Sequence, residues 1–197
     1  RSVAVTGVQT CALPILAQFA LPFIHSKKFD KHHHWQEDLL SPGEIITLLQ
    51  QTLRSRLPYP EFHVPLFYGR FNLLQRNLSY INCGAQNPIF YSAKNKTLTE
   101  LDTSSTPFNL TRTTHLSEKR IPFQTDDIFV LFSEGAARAR SPNNEPYGAE
   151  RIRSIISSCH ELPVNDLLNR IKNDICAFTA KDNFEEDVSL IIIKFKY

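Results

Sequence analysis

Asp126-Asp127-Ile128-Phe129-Val130-Leu131-Phe132-Ser133-Glu134-Gly135 is an apolar run bounded by acids and closed by a glycine. Five consecutive apolar residues ending at turn chemistry read as a strand buried in a sheet. Such a strand holds the Glu134 carboxylate at the sheet's edge, where a cation can be bound, and Gly135 permits a sharp turn behind it. A second cluster, Glu185-Glu186-Asp187, stands just before another apolar strand, Val188-Ser189-Leu190-Ile191-Ile192-Ile193. The two acid clusters are separated by two helical segments, and the arrangement suggests one site built from both strands.

Around this pair of strands the pattern predicts an α+β domain with antiparallel sheets. Ser41-Pro42-Gly43-Glu44 opens a helix: Ser41 caps, Pro42 suits the first turn and Glu44 completes a capping box. Ile45, Ile46, Leu48, Leu49, Leu53 and Leu57 then recur at helical spacing. Residues 63–71, 77–83, 88–92 and 97–101 read as four short strands of a meander. Residues 150–158 and 164–178 read as helices, the second with Leu167, Leu168, Ile171, Ile175 and Phe178 inward, and strand 188–195 closes the sheet. Leu16 to Ile24 is apolar enough to be the tail of a further helix.

A chain of 197 residues is long enough for a sizeable core and suits one domain. Its formal net charge of +2 makes no electrostatic case for nucleic acid or anionic lipid. No apolar run approaches the roughly 20 residues of a membrane-spanning helix, so no membrane insertion is expected. The scattered cysteines, Cys83, Cys159 and Cys176 beside Cys11, fit a reduced, cytoplasmic protein better than a disulfide framework.

Val5-Thr6-Gly7-Val8-Gln9-Thr10-Cys11-Ala12-Leu13-Pro14-Ile15 resembles the conceptual translation of a short-read sequencing adapter. Residues 1–15 are therefore set outside the fold and expected to pack poorly, as an expression scar would be. They lack the charged start, long apolar stretch and small-residue cleavage site of a signal peptide. Residues 16–197 are left as the C-terminal part of one domain.

Several blocks in order carry a family resemblance. Phe67-Tyr68-Gly69, Leu78-Ser79-Tyr80-Ile81-Asn82-Cys83-Gly84 with Asn87-Pro88, Pro107-Phe108-Asn109-Leu110 and Tyr147-Gly148-Ala149-Glu150-Arg151-Ile152 precede the C-terminal acids. Together they are similar to the SpoIIE/RsbU-like branch of the PPM (PP2C-like) metal-dependent protein serine/threonine phosphatases, over roughly Ser41 to Tyr197. The resemblance implies a PP2C-like αββα sandwich of antiparallel sheets, incomplete at the N-terminus. Asn82, Gly84, Gly135 and Gly148 are its structural motif positions. It also implies two manganese or magnesium ions that activate a water for attack on a phosphoserine or phosphothreonine, with Glu134, Glu186 and Asp187 as metal ligands. A phosphoprotein substrate or regulatory protein partner, and a sensor or receiver domain ahead of Leu16, belong to the same expectation.

Departures from the family pattern open a second reading. The pattern Thr-Asp-Gly stands here as Ser133-Glu134-Gly135, and Asp-Asp-Ile-Thr as Glu186-Asp187-Val188-Ser189. A third block, a Gly-Asp pair before a Gly-rich helix start, has no match in residues 1–40. Paired ions sit about 3.5–4 Å apart, and one extra methylene moves a carboxylate by roughly 1.5 Å. Magnesium, with oxygen distances near 2.0–2.1 Å, tolerates that poorly. Pro65 in Val64-Pro65-Leu66-Phe67-Tyr68-Gly69 replaces a threonine common in active relatives. The alternative to a bacterial phosphatase is thus a catalytically degenerate pseudophosphatase, a protein-binding adaptor in a response-regulator or sigma-factor pathway.

Other conspicuous residues receive plainer readings. His32-His33-His34 lacks helical i, i+4 spacing and convergent acids, and reads as a solvated loop. Sequons at Asn77, Asn95 and Asn109 carry meaning only in a secreted chain. Arg138, Arg140, Arg151 and Arg153 read first as a solvated face and second as a phosphate or acidic-partner site. Cys83 reads as a buried thiol at a strand end rather than a reactive one.

Overall fold

The computed structural model describes residues 2–8, 40–56, 63–102, 105–109, 115–180 and 186–196. They divide into two compact units, one built from Arg1–Cys11, Gln86–Asp102 and Pro122–Tyr197, the other from Ala12–Ala85 and Thr103–Ile121.

The described residues of the first unit form a fully antiparallel sheet with three helices. Its strands are β1 (Ser2–Val8), β5 (Ile89–Ser92), β6 (Thr97–Glu100), β9 (Ile128–Phe132) and β10 (Leu190–Lys196), in the order β1-β10-β9-β5-β6. Helices α3 (Ala149–Cys159) and α4 (Val164–Thr179) follow a five-residue α2 (Glu134–Arg138). Their apolar faces explain the packing. Ile152, Ile155 and Ile156 of α3, with Leu167, Leu168, Ile171 and Ile175 of α4, share one core with Ile89, Ile128, Val130, Phe132, Leu190 and Ile192. The alternate strand residues point to one face, and the helical residues recur at i, i+3, i+4.

Polar groups hold the connections. Asp127 is buried and accepts from the backbone N–H of Ala93 at 2.8 Å and of Gln124 at 2.7 Å, tying the β5–β6 turn to the approach into β9. Lys194, 4% exposed on β10, donates to the carbonyls of His160 at 2.6 Å and Leu162 at 3.0 Å, just past the end of α3. Those carbonyls lie at the negative end of the helix, so a buried ammonium suits them. Burial nevertheless pushes its pKa below the ordinary lysine value.

The second unit carries α1 (Pro42–Arg56), a two-stranded ladder of β2 (His63–Val64) and β7 (Phe108–Asn109), and a sheet in the order β3-β4-β8. These last strands span Leu66–Asn72, Asn77–Cys83 and Lys119–Pro122. The expected capping box opens α1: Glu44 N–H donates to Ser41 Oγ at 3.2 Å and Ser41 N–H to Glu44 Oε2 at 2.7 Å. Ile46, Leu49 and Leu53 then pack with Ile81, Cys83 and Phe108. Leu57, Leu16 to Ile24 and His32-His33-His34 lie outside the described residues.

The α+β class with antiparallel sheets is as expected, and three placements differ. The four strands between residues 63 and 101 are not one meander: β3 pairs with β4 in one unit, and β5 with β6 and β9 in the other. The Asn82-Cys83-Gly84 turn and Asn87-Pro88 redirect the chain between the two hairpins. Strand β10 lies inside its sheet rather than closing it. Ser2–Val8, expected to stand apart, pairs along β10 from Ser2 opposite Lys196 to Val8 opposite Leu190. A β-ladder is made of backbone groups and does not require a particular side chain, so an available edge accepts many extended segments. The adapter origin of residues 1–15 is therefore a proposal that the pairing leaves open. Genomic nucleotide sequence through Val5 to Ile15 tests it.

Candidate functional site at the β9–β10 edge

Antiparallel pairing sets Leu190 opposite Phe132, which brings the end of β9 and the start of β10 to one edge. The two acid-bearing segments meet there. Ser133 holds them together: its N–H donates to Ser189 O at 2.9 Å, its Oγ donates to Asp187 O at 2.9 Å, and the same Oγ accepts from Ser189 N–H at 3.0 Å. Ser133 also caps α2, accepting from Ala136 N–H at 3.3 Å. Gly135 completes the close approach. A Cβ there would stand 2.5 Å from Asp187 O and 3.1 Å from Glu186 Cβ, so only glycine leaves room for the Glu186-Asp187 segment.

The opposite end of α2 is fixed as well. Tyr147 N–H donates to Ala139 O and Gly148 N–H to Ala137 O, each at 2.8 Å. Gly148 takes φ +79°, a left-handed value natural to glycine, at the start of α3. Buried Tyr147 donates its hydroxyl to Asp174 of α4, and Arg151 grips the same carboxylate while lying over the Tyr147 and Phe178 rings. Burial, reinforced by the Asp174 carboxylate, holds the Tyr147 hydroxyl well above the usual tyrosine range.

Glu134, Glu186 and Asp187 are all exposed at this edge. Arg138 Nη2 contacts Glu134 Oε1 at 2.6 Å across one helical turn. Among the described residues, no three His, Cys, Asp or Glu are grouped to hold a metal ion. The other arginines are also engaged internally: Arg140 with Asn144 O at 2.7 Å, and Arg153 with Glu100 at 2.8 Å. This favours their reading as a solvated face.

The remaining motif positions are structural. Buried Asn82 accepts from Ala85 N–H at 2.9 Å and donates to Ala85 O at 3.2 Å, so its side chain closes the turn that follows β4. Gly84 follows at φ +79°, where an added Cβ would stand 3.2 Å from Pro107 Cγ. Cys83 between them is buried, and burial pushes its thiol up to about 11, which keeps it from the reactive thiolate form. Ser133 is the residue that the sequence reading overlooked, although a hydroxyl directly before Glu134 is a helix-capping signal.

Relatives share this architecture. The phosphoserine phosphatase RsbU of Bacillus subtilis (strain 168) is 20% identical over 104 residues, covering 53% of this chain and 31% of RsbU, so the chain spans about a third of that relative's length. The SiaA-PP2C domain of Pseudomonas aeruginosa has a TM-score of 0.71 at 11% identity, over 98% of this chain and 80% of that one. The catalytic domain of the serine/threonine protein phosphatase PstP, solved in complex with two manganese ions, has a TM-score of 0.59 at 10% identity, over 99% of this chain and 87% of that one. These similarities establish the PP2C-like fold. The model of the Stage II sporulation protein E (SpoIIE) family matches residues 30–196, and the chain belongs to that family.

Proposed function

We propose that this chain is a regulatory, phosphatase-type domain of bacterial signalling whose β9–β10 edge binds a phosphoprotein or regulatory protein without hydrolysing it. The observation that carries this reading is the residue type at two positions, Glu134 and Glu186 standing where the family pattern has aspartates. The lengthened carboxylates at Glu134 and Glu186 support it, since a two-ion centre leaves little freedom in ligand reach. The free cysteines Cys83, Cys159 and Cys176 support action in the cytoplasm.

A second reading is favoured by the Ser133 contacts. They tie the backbone that carries Glu134 to the backbone that carries Glu186 and Asp187, which supports those three acids as ligands of manganese or magnesium in a working phosphatase. The bound ions would supply a water activated for attack on the phosphoryl group.

Manganese titration and hydrolysis of a phosphoserine peptide, by the protein supplied with the Gly-Asp block that residues 1–40 do not match, separate the two. The adaptor reading expects no manganese-dependent turnover, unchanged folding in Glu134→Ala, and a gain in manganese affinity in the Glu134→Asp, Glu186→Asp double variant. Manganese-dependent turnover that Glu134→Ala abolishes would establish the enzyme instead.

A further inference from the structure

We propose that Ser133 is the positioning residue of the β9–β10 edge, the group that sets how far the Glu134-bearing helix α2 stands from the Glu186-Asp187 segment. The proposal rests on the reading of this edge as the binding face, whether or not chemistry occurs there.

The argument is one of connectivity. Three protein segments converge on a single hydroxyl: α2 through Ala136 N–H, the residue preceding β10 through Ser189 N–H, and the acid segment through Asp187 O. The backbone of Ser133 adds a fourth tie to Ser189 O. Glu134, Glu186 and Asp187 have no comparable mutual contacts; their exposed carboxylates take position from the backbones that carry them. Gly135 sets a lower limit on the approach through its contact with Asp187 O, and Ser133 prevents the two segments from drifting apart. A hydroxyl serves here because it donates once and accepts twice at one point, which neither an amine nor a carboxylate can do at this distance from the main chain.

The test is amide hydrogen exchange on the whole chain, comparing Ser133→Thr, Ser133→Val and Ser133→Ala. Thr and Val share a shape and differ in the hydroxyl. Ser133→Thr is expected to keep the exchange of the Ala136 and Ser189 amides within about twofold of wild type. Ser133→Val and Ser133→Ala are expected to speed the Ser189 amide by about fivefold or more while the β9–β5 ladder remains protected; the Ala136 amide, which also bonds Ser133 O at 3.1 Å, responds less. A Val variant that fails to fold beside a folded Thr variant also supports the proposal. Equal exchange in Thr and Val, or loss of protection in Thr, overturns it. Neither outcome depends on manganese or turnover, so this inference can fail while the proposed function stands, and the reverse.

Discussion

The Tyr147 hydroxyl meets Asp174 Oδ2 at 2.7 Å, joining the residue that precedes the α3 cap to the middle of α4, 27 positions along the chain. Arg151 closes the same carboxylate at 3.1 Å, so one acid serves a phenol and a guanidinium at once. Because the amides of Tyr147 and Gly148 hold the end of α2, this knot also fixes the helix that carries Glu134.

Tyr147→Phe removes one hydrogen bond to a charged group and leaves Arg151 on Asp174. The expected cost is about 1.5 kcal/mol, which corresponds to a fall in melting temperature of roughly 3–6 °C for a chain of this size. Thermal and urea unfolding measure it. An unchanged midpoint would show that the Tyr147 hydroxyl contributes nothing.

Gly135→Ala places a methyl carbon 2.5 Å from Asp187 O, closer than real contacts allow. The strands must separate locally, and the expected destabilisation is about 2 kcal/mol. Backbone amide shifts around Asp187 to Ser189 should report the displacement, with the β3–β4 hairpin unaffected.

Asp127→Ala leaves the Ala93 and Gln124 amides without their acceptor inside the first unit. Loss of two bonds to a buried carboxylate is expected to cost about 3 kcal/mol, more than Tyr147→Phe. Denaturant midpoints of the two variants, compared with wild type, give the order.

Alkaline pH should destabilise the fold. The pKa values of Cys83, Tyr147, Tyr91 and Tyr68 are raised above their ordinary values, with burial the leading cause in each. Groups raised on folding contribute stability that is complete below the unfolded value and lost as pH rises through the folded one. For Cys83 that window runs from 9.0 to about 11, and for the tyrosines it begins at 10.0. Lys194, lowered by burial, acts in the opposite sense and offsets part of the loss. Urea midpoints should therefore be level up to about pH 9 and fall above it, and Tyr147→Phe should flatten the fall.

Much of the fold was legible because its apolar patterns are local. Strand β9 runs from Ile128 to Phe132 as read, since acids and turn residues bound an unbroken apolar run. Helices α1, α3 and α4 were visible through their apolar period, α1 also through its capping box. Helix α2 was not, because five residues are too few to show a period and Gly135 reads as a breaker. Strand β8, Lys119-Arg120-Ile121-Pro122, carries no alternating apolar pattern, and its identity comes from pairing beside β4. The meeting of the two acid-bearing segments at one end of the β9–β10 pair could be foreseen from two acid-flanked strands. Long-range charge pairs could not: Arg153 pairs with Glu100, 53 positions away, and no local pattern encodes that meeting.

The Ser133 contact with Asp187 spans 54 positions, and everything between them, including α2, α3 and α4, lies inside the loop it closes. Closing a flexible loop of that size costs roughly 3–4 kcal/mol of chain entropy, whereas the helices within it can form from neighbouring residues. Preformed helices shorten the path that remains to be closed. The order of assembly follows: the α3–α4 hairpin comes early, β10 docks onto β9 late, and the acid edge exists only after that docking. A folding intermediate of this chain would carry its helices and lack its binding face.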